Sequence, residues 1–321
     1  MNALKAILLK VASAVVFTVM SAIVRWVTET LPLGQIVFFR GAFAILPVVL
    51  IYAWRGELRA AVRTGRPMGH VTRGLLGVLG MFLSFASLAR LPLADVTAIG
   101  FAAPLITVAL AAWILHERVR IYRWSAVAVG FVGVIVMLAP HLDVAGWTSG
   151  NAVATLGAAF ALANAFTSAA STIQTRRLTG SETNSAIVFY FSLITALFAL
   201  LSWPFGWASL TLSQFAWLAA IGVLGGVGHL LMTESFRLAP ASMVAPFDYT
   251  SILWAVILGY LVFGDIPTSS IYIGAGIIIA AGLFVIWRER QLGLIRARPN
   301  VGGAPVTPEA ATRPGEGAKT P

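Results

Sequence analysis

Ten apolar runs of about 20 residues each follow one another along the chain, and about 20 apolar residues are what an α-helix needs to cross the hydrocarbon core of a bilayer. The composition agrees, because 59% of the residues are hydrophobic and only 11% are charged, whereas soluble domains contain about 25% charged residues. The sequence therefore predicts an all-α polytopic membrane protein with ten transmembrane helices. The predicted spans are residues 8–27, 33–54, 70–89, 93–115, 121–139, 152–174, 184–205, 213–236, 241–263 and 269–288.

The chain also repeats itself at an offset of 148 residues. The segment 88–119 returns as the segment 236–267, and each copy has a Pro-containing link, an apolar run and then a single acid, Glu117 or Asp265. Ten spans in two copies means five spans each, and an odd number makes the second copy enter the membrane in the opposite orientation. We therefore expect two inverted five-helix repeats, at residues 1–139 and 152–290.

The positive charges predict how the protein is oriented. Of the 20 Lys and Arg residues before residue 300, 17 lie in or beside alternate connections, on one side of the predicted spans, and such an excess marks the cytoplasmic side. Both termini are therefore expected in the cytoplasm, with residues 140–151 as a periplasmic linker and the Pro- and Gly-rich residues 291–321 as a disordered tail. This placement explains the net charge of +10, so nucleic-acid binding is not expected.

Arg40 is the strongest single candidate for a functional residue, because it lies inside the second span. A cation at that depth costs about 2.5–3.5 kcal/mol on insertion scales unless it is paired or hydrated. Asp248 in the ninth span is its predicted anionic counterpart, with Tyr249 beside it. The structural alternative is an Arg that binds helix-end carbonyl groups and an acid that is held by the backbone.

Small polar side chains form a stripe on two helices that the repeat relates to each other. The stripes are Thr18, Ser21 and Arg25 in the first span and Asn164, Thr167 and Ser171 in the sixth. Spacings of three and four residues place each set on one helix face. Such stripes can line a shared aqueous cavity, but Ser and Thr also join helices by hydrogen bonds, and both interpretations stay open.

Three further polar or aromatic residues lie within the spans. His229 and Glu234 in the eighth span are a candidate proton-handling pair, with a purely structural His as the alternative. Tyr190 in the seventh span is a candidate for stacking on a planar substrate, with ordinary helix packing as the alternative. The glycine pairs Gly222/Gly226 and Gly130/Gly133 predict close approach between helices.

Signature motifs of enzymes are missing from the sequence. It contains no GxSxG, HExxH or P-loop motif, and no GxGxxG before a helix. Cys is absent, which removes disulfides and thiolate metal ligands. We therefore expect neither an enzyme nor a bound cofactor or metal.

Several motifs resemble the EamA-type drug/metabolite transporter (DMT) superfamily. They are Arg-Leu-Pro-Leu-Ala-Asp-Val-Thr at 90–97, Leu-His-Glu-Arg-Val at 115–119, Val-Ala-Pro-Phe-Asp-Tyr-Thr at 244–250 and the aromatic-Arg motif at 38–40. The resemblance covers residues 5–290 and implies two five-helix halves around a central cavity, with a small-metabolite substrate. Residues 35–40 and 67–70 are most similar to the riboflavin-transporter-like and S-adenosylmethionine-transporter-like branch.

The sequence and this resemblance together predict a transporter of the bacterial inner membrane that moves a small metabolite by alternating access, with riboflavin uptake as the first expectation. Arg40 would orient an anionic or carbonyl-bearing group, Asp248 and Tyr249 would face it, and Asn164 and Ser171 would supply hydrogen bonds. The alternatives are an exporter of amino acids or drugs, an S-adenosylmethionine carrier, and a non-transporting membrane sensor or assembly protein. The expected partners are a small-molecule substrate and the lipid bilayer.

Overall fold

The computed structural model describes residues 3–54, 56, 58–114, 120–139, 152–178, 181–238 and 244–291. Within these ranges the regular structure is helical. The α-helices are α1 (Ala3–Val27), α2 (Leu33–Trp54), α3 (Leu58–Val62), α4 (Pro67–Leu88), α5 (Leu93–Gly100), α6 (Ala102–Ile114), α7 (Ile121–Leu138), α8 (Ala152–Leu178), α9 (Asn184–Leu200), α10 (Leu212–Leu238), α11 (Thr250–Phe263) and α12 (Ser269–Gln291). Two short 3₁₀ helices are Trp203–Phe205 and Ala245–Tyr249. The predicted linker at 140–151, the predicted tail from 292 on and Glu117 lie outside the described residues.

Eight helical segments in the described ranges are long and apolar enough to cross a membrane. Two shorter apolar helices, Ser185–Leu200 and Phe247–Phe263, bring the apolar segments to the ten that the sequence predicts. Large apolar side chains such as Trp54 and Ile121 are mostly exposed on the outside of the bundle, as expected for a surface that faces lipid. The chain is therefore a multi-pass membrane protein.

Two of these segments are interrupted at positions that the repeat relates. The fourth predicted span is divided into α5 and α6 at Phe101. Pro104 explains this break, because a proline removes an N–H donor and its ring clashes with the carbonyl group four residues earlier, here that of Gly100. The ninth span begins with the 3₁₀ helix Ala245–Tyr249, which contains Pro246. Each half thus has one irregular turn in its fourth span.

The contacts between helices mirror each other across the two halves. Helix α1 packs on α10 and α8 packs on α4, so the first span of each half lies against the third span of the other. Equivalent spans also meet in pairs, α2 with α9, α5 with α11 and α7 with α12. Each of these contacts joins a helix before residue 140 to a helix after residue 151.

Glycines allow two of these crossings to be close. A Cβ atom on Gly222 of α10 would lie 2.8 Å from the carbonyl oxygen of Phe39 on α2. A Cβ atom on Gly133 of α7 would lie 2.8 Å from the carbonyl oxygen of Gly274 on α12. These glycines pack helices, as the sequence predicts.

Glu182, between α8 and α9, ties the two halves together. Its Oε1 accepts a hydrogen bond from the backbone N–H of Gly65 at 2.9 Å, and its Oε2 lies 3.4 Å from Nε2 of His70 on α4. Burial raises the pKa of Glu182, but the Gly65 amide and the His70 ring lower it by more. The net pKa of Glu182 therefore lies below its usual value of 4.5.

A Glu182→Gln variant is expected to lose an acid-sensitive part of the stability. A lowered pKa in the folded state gives stability that is present above the unfolded-state pKa and is lost as the pH falls through the folded-state pKa. The wild type should therefore have a Tm about 1–3 °C above that of the variant at pH 7, and the two Tm values should converge as the pH falls below the lowered pKa of Glu182. Thermal unfolding in detergent, followed by tryptophan fluorescence, measures this, and a constant Tm difference at all pH values would contradict it.

Candidate functional site

Arg40 on α2 is buried where the two halves meet, with 4% of its surface exposed. Its Nη2 lies 3.2 Å from Nε2 of His229 on α10, and since a guanidinium group only donates hydrogen bonds, this imidazole nitrogen is the acceptor. The Arg40 Cζ lies 5.8 Å from the ring centroid of Phe191 on α9. Its Nη1 is buried and has no hydrogen-bond partner in the described part of the chain. The predicted intramembrane arginine thus keeps one donor nitrogen unused.

A second arginine, Arg73 on α4, lies beside the same Phe191 ring, with its Cζ 4.5 Å from the centroid. Its Nε donates a hydrogen bond to Oγ1 of Thr175 on α8 at 2.7 Å, and its Nη1 donates to the carbonyl oxygen of Ile187 at 3.4 Å. The sequence reasoning missed this residue, because it counted Arg73 among the charges that set orientation. The available signal was its position as the fourth residue of the predicted span 70–89. We call Arg40, Arg73, Phe191 and His229 the arginine cluster.

Glycines make room for the arginine cluster. A Cβ atom on Gly77 of α4 would overlap with Cε2 of Phe191, and a Cβ atom on Gly225 of α10 would lie 3.2 Å from Nε of Arg40. The cluster draws on α2 and α4 from the first half and on α9 and α10 from the second. It therefore lies at the interface between the repeats.

Asp248 does not pair with Arg40, so this prediction is wrong. Its Oδ1 lies 2.6 Å from Nζ of Lys10 on α1, and the side chain of Lys10 is 3% exposed while that of Asp248 is 52% exposed. The reason is geometric, because α1 packs against the 3₁₀ helix that carries Asp248, whereas α2 packs against α9 and α10. Lys10 was also counted only as an orientation charge in the sequence reasoning, although it lies inside the predicted span 8–27.

A cavity of ≈ 220 Å³ lies where the two irregular turns meet. Asp248 and Tyr249 line it from the 3₁₀ helix, Phe101 lines it from the break between α5 and α6, and Arg123 lines it from α7. The rings of Phe101 and Tyr249 meet edge to face, with centroids 5.1 Å apart. In membrane proteins built from two repeats, paired interruptions of this kind mark the region of a ligand site. Arg40 is not among the described residues that line this cavity, so the predicted site is divided between two places.

A Gly282→Ala variant is expected to displace Tyr249 from this cavity wall. A Cβ atom on Gly282 of α12 would overlap with the Tyr249 hydroxyl group and lie 2.8 Å from its Cζ, and overpacking of this kind costs about 1–3 kcal/mol. The matched control is Gly276→Ala on the same helix, where a Cβ atom meets no described atom within 4 Å. Thermal unfolding should show a Tm lowered by about 2–12 °C for Gly282→Ala only, with part of the loss recovered by adding Tyr249→Phe. Equal Tm values for the two glycine variants would contradict this prediction.

Within the polar stripe of α1, Arg25 makes a contact to another segment of the chain. Arg25 forms an ion pair with Asp265, which follows α11, and its Nη2 donates to Oδ1 of that residue at 3.2 Å. Thr18 donates a hydrogen bond to the carbonyl oxygen of Ala14 in its own helix at 2.7 Å. Ser21 is half-buried. Arg25 thus ties the end of α1 to the other half of the protein.

The corresponding stripe of α8 faces α4. A Cβ atom on Gly80 of α4 would lie 3.0 Å from Oγ1 of Thr167 and 3.3 Å from Oδ1 of Asn164. The carbonyl oxygen of Ser171 accepts a hydrogen bond from Thr175 at 2.8 Å, and Thr175 in turn holds the Arg73 guanidinium group. The stripe therefore packs α8 against α4 and supports one side of the arginine cluster.

Tyr190 lies on α9 beside Phe191, but its hydroxyl group points to the end of α3. It donates a hydrogen bond to the carbonyl oxygen of Val62 at 2.9 Å, and its ring centroid lies 4.8 Å from that of His70. These contacts bring Tyr190 to the α3–α4 connection. Its predicted role in stacking on a substrate stays a prediction.

His229 and Glu234 both lie on α10. Five residues correspond to about 140° around an α-helix, so the two side chains leave the helix in different directions. The ring of His229 packs edge to face on Phe17 of α1, with centroids 5.1 Å apart, and its Nε2 faces Arg40. Glu234 is half-buried. The structure assigns His229 to the arginine cluster, and the predicted proton-handling pair stays a prediction.

The family profile and curated relatives that match this chain agree with this architecture. The profile of the EamA-like transporter family matches residues 4–139 and 155–287. The S-adenosylmethionine uptake transporter of Rickettsia bellii is 30% identical over 255 residues, which cover 79% of this chain and 82% of that protein. The riboflavin transporter of Rhizobium johnstonii is 31% identical over 284 residues, covering 88% and 90%. The pseudopaline exporter CntI of Pseudomonas aeruginosa is 29% identical over 287 residues, covering 89% and 96%.

A solved crystal structure of a protein with 18% sequence identity superposes on the chain with a TM-score of 0.60. The superposition covers 90% of this chain and 96% of that one. At this level of identity the likeness concerns the fold alone.

Proposed function

Because the chain belongs to the EamA-like transporter family, we propose that it carries a small metabolite across the bacterial inner membrane by alternating access. The observation that carries the proposal is the burial of Arg40 between the two halves, with one donor nitrogen left without a described partner. A cation inside a membrane protein marks a substrate or ion pathway by default. An interface between repeats is also where such carriers bind their substrates.

The alternating movement would use the two halves as inverted repeats. The mirrored contacts between helices and the two family matches support a division into residues 1–139 and 152–290. Five spans in each half give opposite orientations, and the Lys and Arg residues of alternate connections place both termini in the cytoplasm. The paired breaks at Phe101 and at Ala245–Tyr249 are points where α5 and α11 can bend as the two halves rock.

Riboflavin uptake is the first candidate activity, and it is supported by the riboflavin transporter among the relatives. Uptake of S-adenosylmethionine is supported in the same way, and the exporter among the relatives keeps outward transport of amino acids or drugs as an alternative. All three relatives are carriers by name, which favours a carrier over an enzyme and over a membrane sensor or assembly protein.

The test is uptake and release of labelled metabolites by the full chain in proteoliposomes. Labelled riboflavin and S-adenosylmethionine are offered in parallel, and growth of a riboflavin-auxotrophic bacterium at limiting riboflavin provides a cellular readout. Transport above that of empty liposomes for either compound supports the proposal, and rescue of the auxotroph identifies riboflavin import. A folded, correctly inserted protein that moves neither compound nor any amino acid in either direction would overturn it.

A further inference from the structure

We infer that Arg40 and Arg73, which both contact the Phe191 ring, form a binding site for an anionic group, so that the transported metabolite carries a carboxylate or phosphate. This inference rests on the proposed function, because it takes the arginine cluster as the substrate site. It adds Arg73 and Phe191 to the predicted binding residues. It also names the charge that the substrate has to carry.

The charges around the cluster are unbalanced. The polar contacts of Arg40 and Arg73 in the described part of the chain are the imidazole of His229, the hydroxyl group of Thr175 and the carbonyl oxygen of Ile187. None of these groups carries a negative charge. Two guanidinium groups therefore lie close to one ring inside the membrane protein with neutral partners only, and charges in such places are normally paired.

Two cations of α1 show how the chain neutralises a charge that makes a structural contact between helices. Lys10 lies 2.6 Å from a carboxylate oxygen of Asp248, and Arg25 forms an ion pair with Asp265. Both pairs join the first half to the second. Arg40 and Arg73 also lie between the halves, but no acid among the described residues pairs with them, and a molecule that binds there would supply the negative charge.

The geometry suits an anion in particular. Arg40 is 4% exposed and its Nη1 has no hydrogen-bond partner among the described residues, so a donor is already desolvated and unused. Guanidinium groups bind carboxylates and phosphates through paired N–H donors. The Phe191 ring holds both cations by cation–π contact, which keeps them near each other in the absence of an anion.

This inference orders the candidate substrates. Riboflavin has no ionised group at neutral pH, whereas S-adenosylmethionine carries an amino-acid carboxylate. A carboxylate-bearing metabolite therefore fits the arginine cluster better than riboflavin does. Riboflavin 5′-phosphate would supply the same negative charge through its phosphate.

The test compares two pairs of probes that differ in one anionic group. The pairs are S-adenosylmethionine with its decarboxylated form, and riboflavin 5′-phosphate with riboflavin. Binding to the purified full chain is measured by thermal unfolding and titration calorimetry. We expect the member that carries the carboxylate or phosphate, in at least one pair, to bind about 10- to 100-fold more tightly than the member that lacks this group, and the pair that responds distinguishes a carboxylate from a phosphate.

The variants Arg40→Gln and Arg73→Gln should each remove this preference, and Arg40→Lys should keep part of it because the charge remains. The matched control is Arg90→Gln. Arg90 also lies over a ring, with its Cζ 5.2 Å from the Phe160 centroid, and it also donates to a carbonyl oxygen, that of Ala86 at 2.7 Å, but it is outside the cluster. Its replacement should leave the preference for the anionic probe unchanged.

The inference is overturned if the members with and without the carboxylate or phosphate bind wild type equally, or not at all, in both pairs. This comparison does not depend on how the variants fold. It is also overturned if Arg90→Gln abolishes the preference as fully as the cluster variants do. The proposed function fails on a different result. In that case the probes bind in a charge-dependent way, but the protein moves none of the metabolites across the membrane of proteoliposomes. Transport of riboflavin without any preference for anions would leave the proposed function standing and overturn the inference alone.

Discussion

Replacing Arg40 by Ala is expected to reduce transport by about 10- to 100-fold or more while the amount of folded protein in the membrane stays the same. A hydrogen bond to a charged group contributes about 1.5–3 kcal/mol, and this is the contribution that the substrate would lose. The fold itself should tolerate the change, because the one described hydrogen-bond partner of Arg40 is the neutral acceptor nitrogen of His229 and the variant removes a buried charge instead of leaving one unpaired.

Transport in proteoliposomes and membrane abundance have to be measured for the same preparations. Arg40→Lys should retain part of the activity, because it keeps the charge but loses the fork of parallel donors. Arg90→Gln serves as the control for loss of an arginine that packs on a ring. If Arg40→Ala lowers abundance and transport in proportion, Arg40 has a structural role and the predicted role in substrate binding is wrong.

The sequence was sufficient to predict the ten apolar segments and the position of Arg40 inside one of them. Both are local properties, since the length of an apolar run and the presence of a cation within it can be read without knowing what lies opposite. The glycine pairs were predictable for the same reason. A Gly inside an apolar helix indicates close packing whatever its neighbour turns out to be.

The pairing of charges was not predictable from one sequence. Arg25 finds its carboxylate at Asp265, 240 residues away, and Asp248 pairs with Lys10 rather than with Arg40. Which helix lies opposite is decided by the packing of the two halves, and no local pattern encodes it. Counting every Lys and Arg near a span end as an orientation charge also concealed Arg73, whose guanidinium group reaches inward to Phe191.

The polar stripes show the same limitation. Their spacing predicts a shared helix face, but the neighbouring helix decides whether that face lines a cavity or packs against a helix. For Asn164 and Thr167 the neighbour is Gly80 of α4, whose lack of a side chain lets the two helices come together. A glycine on one helix and a polar stripe on another, far apart in sequence, cannot be matched without the fold.

Replacing Gly274 by Ala is expected to destabilise the protein more than the Gly282→Ala replacement does. A Cβ atom on Gly274 of α12 would overlap with Cγ of Met137 and lie 2.5 Å from the backbone carbonyl oxygen of Gly133 on α7. A side chain can rotate away, but a carbonyl group in a helix cannot, so α7 and α12 have to separate. The cost should reach the upper end of the overpacking range, about 3 kcal/mol, which corresponds to a Tm lowered by about 6–12 °C.

Gly276→Ala provides the matched control for this prediction. Gly276 lies two residues after Gly274 on the same helix, and its added methyl group would meet no described atom within 4 Å. Ala is the better helix former by about 1 kcal/mol, so this variant should be as stable as wild type or slightly more stable. Thermal unfolding in detergent compares the two directly. If the Tm of Gly274→Ala lies within about 1–2 °C of the Tm of Gly276→Ala, the prediction is contradicted. The contact between α7 and α12 would then be looser than the structure describes.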